Sequence, residues 1–219
     1  MSAATLSYFE IAEGLPPGAT VTFHDVSWDE YEELIEDLGE AAGLRVSYND
    51  GTLEIMTVSS AHESYATFIN RLISHLSFRL RMNIRFFGSA TMRTRKKKKG
   101  SEPDACFYVH SASIIGNRMQ IDFTVDPPPD IVVEVDVHHD SRDKFSIYAA
   151  LGVPEIWRYD GQELTIHILQ EDQYVGVETS AALPMLSGRA LTDFLARLPK
   201  DGESQTLVAF DEWLQTLPR

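Results

Sequence analysis

The sequence predicts an α/β fold, with mixed α and β elements and a central mixed sheet flanked by helices. Residues 61–82 carry apolar side chains at helical spacing, which indicates a long amphipathic helix. Residues 131–137 are almost entirely β-branched and apolar, as in a central strand covered on both faces. The predicted core order is helix, strand, strand, strand, helix, strand, at 61–82, 84–89, 104–109, 131–137, 142–151 and 154–160.

Further elements precede and follow this core. Ser27 and Glu30 form a capping box that starts a helix. Asn49-Asp50-Gly51 joins two short alternating strands as a hairpin. A C-terminal hairpin and two short helices are expected near 164–177, 190–197 and 210–217. Residues 1–20 are rich in small residues, Pro and Gly, so we expect a flexible lead-in followed by a single domain at 21–219.

The composition bounds the class of protein. The chain has 219 residues, of which 43% are hydrophobic, enough to bury a substantial core. No apolar run approaches the roughly 18 residues of a membrane span, and the N-terminus lacks the pattern of a secretory signal. A single cysteine, Cys106, excludes an internal disulfide and fits a cytoplasmic location. We interpret Cys106 as a small core side chain rather than a reactive thiol.

The net charge of −14 disfavours nucleic acid as a partner, because phosphate binding depends on Lys and Arg. One short segment is nevertheless strongly basic. It admits two interpretations: a solvated loop or hairpin, or an arm that contacts a phosphate backbone. Its basic residues are Arg93, Arg95, Lys96, Lys97, Lys98 and Lys99.

Acidic residues stand at the ends of two predicted strands. Asp104 opens one strand, and Glu134 and Asp136 share one face of the other. Carboxylates from adjacent strands form a hard-oxygen pocket suited to Mg²⁺ or Mn²⁺, and the carbonyl of Val135 adds a further oxygen. The alternative is that Asp104 caps a turn and Glu134 pairs with an arginine.

Lys144 lies in the first turn of the predicted helix at 142–151, which Ser141 is placed to cap. A lysine at this end is unfavourable for the helix dipole. This mismatch favours a local task, such as holding a water or stabilising charge on a phosphate. The alternative is a simple ion pair with Asp140 or Asp143.

At these residues the sequence resembles the Uma2 (DUF820) family of restriction-endonuclease-like proteins, within the PD-(D/E)XK nuclease superfamily. The resemblance spans about residues 27–185 and implies a metal-dependent endonuclease that hydrolyses phosphodiester bonds of DNA. It also implies the restriction-endonuclease-like core of order αβββαβ. The matching stretches are 53–56, 62–63, 102–108, 126–136, 143–144 and 148–160.

The resemblance assigns roles to individual residues. Asp104 matches the first acid of the superfamily motif and Glu134 the second. Asp136 occupies the position where the superfamily lysine normally stands. The resemblance therefore implies either that Lys144 replaces that lysine from the next helix or that the site is catalytically weakened.

Two residues on the long helix match the family as well. Glu63 matches the place of an extra acidic metal ligand, and His62 matches a typical family position. The alternative for both is a polar helix start after Ser59-Ser60. His139 is a candidate for the rim of the site, although adjacent His138 points to the opposite face of a strand. By analogy with superfamily nucleases that cut both strands, a homodimer is expected.

Three functions follow from these observations. The first is a DNA endonuclease that uses Mg²⁺ or Mn²⁺. The second is a binding or regulatory protein that keeps the fold without turnover, favoured by Asp136 in the lysine position. The third is a hydrolase of a smaller phosphorylated substrate, favoured by the acidic composition.

Overall fold

A computed structural model describes residues 7–39, 43–137 and 140–217. The predicted α/β class is confirmed: among these residues the strands form two sheets, with helices packed on both. The helices are α1 (Tyr8–Glu13), α2 (Trp28–Leu38), α3 (Ser60–Leu80), α4 (Ala112–Ile115), α5 (Phe145–Leu151), α6 (Gly188–Asp201) and α7 (Glu203–Thr216). The strands are β1 (Thr20–Phe23), β2 (Leu44–Asn49), β3 (Thr52–Thr57), β4 (Arg85–Phe86), β5 (Met92–Thr94), β6 (Lys99–Ser101), β7 (Ala105–Tyr108), β8 (Ile131–Val135), β9 (Glu155–Tyr159), β10 (Leu164–Gln170) and β11 (Gln173–Val177).

The larger sheet contains the predicted core. Its strand order is β11-β10-β9-β8-β7-β4, and β8 and β9 are parallel while the other neighbours are antiparallel. The chain passes through α3, β4, β7, β8, α5 and β9, which gives the expected order αβββαβ. The strands are shorter than the sequence patterns suggest, since β4 has two residues.

Alternation along β7 and β8 assigns the two faces of this sheet. Val133 and Val135 belong to the main core, which packs the sheet against α3, α6 and α7. Val132 and Cys106 belong to a second cluster with Tyr148 of α5. Even-numbered residues of β8, including Glu134, therefore lie on the α5 side.

The smaller sheet has the order β1-β3-β2-β6-β5 and covers that same α5 side. One of its faces packs on α1 and α2 through aromatic residues such as Tyr31 and Tyr48. Its other face meets α5, where Asn49 donates a hydrogen bond to Ser146 and Ser101 donates one to Tyr148. Helix α5 thus lies between the two sheets.

Local sequence signals explain several elements. The capping box of α2 is confirmed, because Ser27 accepts from the Glu30 amide and Glu30 accepts from the Ser27 amide. The β2–β3 hairpin is confirmed too, with positive φ angles at Asp50 and Gly51. The predicted lead-in at 1–20 contains α1, which has a capping box of its own, and the first residue of β1. No element was predicted at α1, β1 or α4, although Ser7 and Glu10 have the same capping-box spacing as Ser27 and Glu30.

The turn before α5 differs from the prediction. Residues Ser141–Lys144 form a 3-10 turn, and α5 starts only at Phe145. The residue that caps this turn is Asp140, whose side chain accepts from the Arg142 amide. Ser141 instead bonds to Asp136.

The basic segment is a folded hairpin of the smaller sheet. It comprises β5, a 3-10 turn at Arg95–Lys97, and β6. In the part of the chain that the structure describes, no helix is long and apolar enough to cross a membrane. Cys106 is fully buried, and burial raises the pKa of its thiol to about 12, as expected of a core side chain.

The close packing of Gly100 in β6 against Tyr31 in α2 can be tested by substitution. A Cβ atom added to Gly100 would lie 2.1 Å from the hydroxyl oxygen of Tyr31, which is fully buried. We expect Gly100→Ala to lower the free energy of unfolding by about 1–3 kcal/mol, because the ring has no room to move. Urea unfolding measures the change.

The matched control is Gly176→Ala, where the nearest atom to an added Cβ is 3.9 Å away. Its effect is expected to stay within about 0.5 kcal/mol. Equal effects of the two substitutions would contradict the proposed packing constraint.

Candidate active site

Glu134 is the centre of a buried cluster of polar side chains on the α5 side of β8. Only 1% of the residue is exposed. Lys144 Nζ lies 2.9 Å from Glu134 Oε2 and donates a hydrogen bond to it. The hydroxyl of Tyr148 donates to Glu134 Oε1. Both carboxylate oxygens are therefore satisfied from the segment that carries α5, and not by an arginine.

Asp104 lies immediately before β7, beside the backbone of β8. Its Oδ2 accepts a hydrogen bond from the Val135 amide at 2.7 Å, and its own amide donates to the Val133 carbonyl at 3.0 Å. Its side chain is almost completely buried. The backbone bond fixes the carboxylate at the end of β8, next to Glu134. Val135 thus contributes an amide donor to the candidate site, and its predicted role as an oxygen ligand stays a prediction.

Lys144 reaches Glu134 because the turn before α5 is anchored to β8. Asp136 Oδ2 accepts from the amide and hydroxyl of Ser141, at 2.9 and 3.0 Å, and also pairs with Arg158 of β9. The alternative pairing of Lys144 with Asp140 or Asp143 is not what the structure shows. Asp136 is engaged in holding the turn, so its predicted catalytic role stays a prediction.

Residues from α3 and β2 close the other side of Asp104. His62 Nε2 lies 2.9 Å from Asp104 Oδ2. This contact does not have the geometry of a hydrogen bond. Neither ring nitrogen of His62 has a hydrogen-bond partner among the described residues. Arg45 donates from Nε to Asp104 Oδ1 at 3.3 Å and from Nη2 to Glu63 Oε1 at 2.9 Å. Glu63 is half exposed, with 49% of its side chain accessible.

Burial and the charges of neighbouring residues shift the pKa values of the clustered groups, and the two effects often oppose each other. Burial raises the pKa of Glu134 to about 7, and the field of Asp104 adds to the rise against the opposing effect of Lys144. Burial also opposes the ionised form of Asp104, but its contact with His62 and the field of Lys144 hold its pKa below the usual value. Although burial disfavours an ammonium, the fields of Glu134 and Asp104 raise the pKa of Lys144. Lys144 is therefore a permanent cation close to both acids.

An open cleft with a volume of about 1020 Å³ adjoins this cluster. Arg45, Glu63 and Glu102 line it, together with Ser59 and Ser60 at the start of α3. Arg45 and Glu63 also belong to the network around Asp104, so Arg45 lies between the cleft and the carboxylate of Asp104. A substrate in the cleft would meet the cluster from the side of α3 and β2.

Several residues of the site had no role in the sequence analysis. Tyr148 was detectable in principle, since it stands four residues after Lys144 and so projects from the same side of the helical segment. Glu54 lies in β3 opposite Ser47, on the sheet face that meets α5, and its field adds to the raised pKa of Lys144. Arg45 carried no signal, because its partners are remote in sequence and meet it only through the packing of β2.

Two further predictions concern the metal site and the rim residue His139. No group of three or more His, Cys, Asp and Glu side chains placed to hold a metal ion occurs among the residues described. The oxygens of Asp104 and Glu134 instead face Arg45 and Lys144. His139, predicted at the rim, lies outside the described residues, as does His138.

The basic hairpin is largely turned back onto the protein. Arg95 pairs with Asp29 and Glu32 of α2. Lys97 donates to the Ala150 carbonyl, and Lys99 donates to Asn49.

The comparisons with known proteins agree with this architecture. The family model of Uma2, described as "Putative restriction endonuclease", matches residues 28–198. The chain belongs to the Uma2 family. The family and the fold together indicate a nuclease, a restriction-endonuclease-like protein.

A solved structure shows the same fold. It is described as a "putative nuclease belonging to DUF820" from Anabaena variabilis ATCC 29413, with a TM-score of 0.52 and 15% sequence identity to the Uma2 chain. The match covers 78% of this chain and 99% of that one. No curated protein matches the chain.

The raised pKa of Glu134 predicts how stability depends on pH. Its ordinary value is 4.5 and its folded-state value is about 7, so the folded protein binds more protons than the unfolded chain between these values. The contribution of Glu134 is fully present below about pH 4.5 and is lost as pH rises through about 7. We expect the loss to approach about 1.4 kcal/mol per pH unit in the steep region. Urea unfolding across this range measures it.

Other groups titrate in the same range, so the comparison is with Glu134→Gln. This variant keeps a neutral side chain that does not titrate. The difference in stability between wild type and variant should fall with rising pH and level off above about pH 7. A difference that does not vary with pH would contradict the raised pKa.

Proposed function

We propose that this protein is a metal-dependent endonuclease that hydrolyses phosphodiester bonds of DNA. One observation carries the proposal: Asp104, Glu134 and Lys144 meet in one buried cluster that adjoins an open cleft. The resemblance to PD-(D/E)XK nucleases matches Asp104 and Glu134 to the motif acids, and it offers Lys144 as a replacement for the motif lysine. Membership in Uma2 supports a nuclease.

The donor chemistry of the cluster suits Mg²⁺ or Mn²⁺. Asp104, Glu134 and Glu63 offer carboxylate oxygens, which are the ligands that these cations prefer. Burial and the field of Asp104 raise the pKa of Glu134, so a doubly charged cation there would favour its ionised form. When bound, such a cation would polarise a phosphate oxygen and lower the pKa of a water.

The residues of the chain itself supply positioning and charge. Tyr148 and Lys144 fix the two oxygens of Glu134, and the Val135 amide fixes Asp104. Because Lys144 stays protonated, it stabilises negative charge rather than acting as a base. We expect its ammonium to hold an attacking water or to neutralise an oxygen of the phosphate.

The position of Lys144 bears on the alternative of a weakened, non-catalytic relative. That alternative was based on Asp136 at the usual lysine position. Lys144 supplies an ammonium to Glu134 from the turn before α5, so the site does not lack a lysine. This arrangement supports turnover over a purely regulatory role.

The net charge of −14 favours a second candidate, a hydrolase of a smaller phosphorylated substrate. The same cluster would serve either reaction. Comparing bis(p-nitrophenyl) phosphate with plasmid DNA as substrates separates the two. Turnover of the small diester without any nicking of plasmid would favour the second candidate.

A homodimer, expected by analogy with nucleases that cut both strands, is tested by light scattering in the same preparations.

Substitution of the clustered residues tests the endonuclease proposal. We expect Glu134→Gln and Lys144→Met each to reduce Mn²⁺-dependent nicking of supercoiled plasmid by about 100-fold or more, because each removes a charge from the reacting centre. The matched control is Glu212→Gln, which changes an exposed acid on α7, on the opposite side of the larger sheet from α5. Activity of Glu134→Gln equal to that of the control would defeat the assignment.

The basic hairpin gives a separate test of DNA as the substrate. Lys96 and Lys98 are exposed, and the nearest carboxylate oxygen recorded for Lys98 is 4.0 Å away, on Asp50. We expect Lys96→Ala with Lys98→Ala to reduce the slope of log affinity against log salt by about 1–2, since each phosphate contact contributes about 0.9. Fluorescence anisotropy of a labelled duplex measures the slope.

The control for the hairpin is Lys200→Ala, on the exposed surface of α6. An unchanged slope in the double variant would remove the hairpin from the DNA interface.

A further inference from the structure

The guanidinium of Arg45 lies at Asp104, where the proposed metal ion would bind. Its guanidinium donates from three nitrogens, to Asp104 Oδ1 at 3.3 Å, to Glu63 Oε1 at 2.9 Å and to the Leu44 carbonyl at 2.9 Å. Asp104 and Glu63 are two of the acids proposed as metal ligands. One guanidinium therefore bridges them.

The two oxygens of Asp104 differ in how firmly they are held. Oδ2 accepts the short bond from the Val135 amide and lies against His62. The partner of Oδ1 is Arg45, through a long and therefore weak bond. Oδ1 is thus the oxygen that a competing cation would take, and the interaction it would break is that with Arg45. Two cations close to one carboxylate oxygen repel each other, so binding of a divalent cation there would disfavour the contact with Arg45.

The neighbourhood of Arg45 gives the displaced side chain somewhere to go. Arg45 lines the open cleft, along with Ser59 and Ser60. A planar guanidinium with free donors binds a phosphate through two parallel hydrogen bonds. A phosphate in the cleft would therefore lie within reach of this guanidinium.

We propose that Arg45 occupies the cation position at Asp104 in the protein without metal and binds the substrate phosphate once a divalent cation takes that position. Arg45 is then a substrate-binding residue, and metal binding and DNA binding become coupled through it. This inference rests on the proposed endonuclease function, and it names the residue that links metal to substrate.

The first experiment measures metal affinity without any substrate. Isothermal titration of Mn²⁺ into wild type, Arg45→Met and the control Arg197→Met compares three proteins that differ in one cation. Arg197 pairs with Asp201 on α6, away from the site. We expect about tenfold or more tighter binding to Arg45→Met, because the competing cation is gone, and no change in the control. Equal affinities in all three proteins would overturn the proposal.

The second experiment measures coupling to the substrate. Anisotropy of a labelled DNA duplex is titrated with and without Ca²⁺, an oxygen-preferring cation of the same charge as Mn²⁺. We expect the cation to increase the DNA affinity of wild type more than that of Arg45→Met, since the released guanidinium adds a phosphate contact only in wild type. An equal increase in the two proteins would overturn the coupling.

A purely structural role for Arg45 makes a different prediction. It predicts lower thermal stability in Arg45→Met with unchanged Mn²⁺ affinity. If Arg45→Met unfolds without metal, the proposal expects Mn²⁺ to restore folding, because the cation replaces the lost charge at Asp104. Failure of Mn²⁺ to restore it counts against the proposal. Arg45→Lys, which keeps a positive charge, is expected to fold and to bind Mn²⁺ no more tightly than wild type.

Failure of this inference is distinguishable from failure of the proposed function. If Asp104→Asn leaves Mn²⁺ affinity unchanged, the metal site itself is wrong and both proposals fall. If Asp104→Asn weakens Mn²⁺ binding but Arg45→Met does not strengthen it, only the role of Arg45 is refuted.

Discussion

The buried ion pair between Glu134 and Lys144 is the interaction on which the arrangement of the site depends. Removing a carboxylate and an ammonium from water is costly, and the cost is offset only when both groups keep good partners. Tyr148 and Ser101 extend the pair into a chain of hydrogen bonds that links β8, α5 and β6. The two sheets are thereby joined through polar contacts as well as apolar ones. Breaking one member leaves an uncompensated charge in the interior.

The smaller sheet supplies what the core fold alone does not. A mixed sheet with α3 and α5 places the two acids and the lysine, but it leaves the α5 side open. The smaller sheet covers that side and brings Arg45 and Glu54 to the cluster from β2 and β3. The face of this sheet that packs on α1 and α2 makes its apolar contacts, so the face toward α5 can carry polar side chains. The covering layer therefore forms one wall of the cleft and part of its charge.

The sequence carried enough information to predict the core, α2 and the β2–β3 hairpin, but not how the smaller sheet packs over the core. Periodicity identified α3, β8 and α5, and alternation along β8 placed Glu134 on the face opposite Val133. Contacts that depend on how distant segments pack were not predictable: Arg45 meets Asp104 across 59 positions of sequence. The basic segment was equally ambiguous, because a run of charges does not reveal whether α2 will neutralise part of it.

The parallel pairing of β8 and β9 has a consequence for where a lysine can stand. Parallel neighbours cannot be joined by a tight turn, so the chain must leave the sheet and return through a crossover. That crossover connects the end of β8 to α5, and its Lys144 contacts the carboxylate that the strand presents. An ammonium carried by the crossover can thus serve the glutamate as well as one carried by the strand. The strand position is then not needed for a lysine. In this chain it is occupied by Asp136, which accepts hydrogen bonds from Ser141 in the turn before α5.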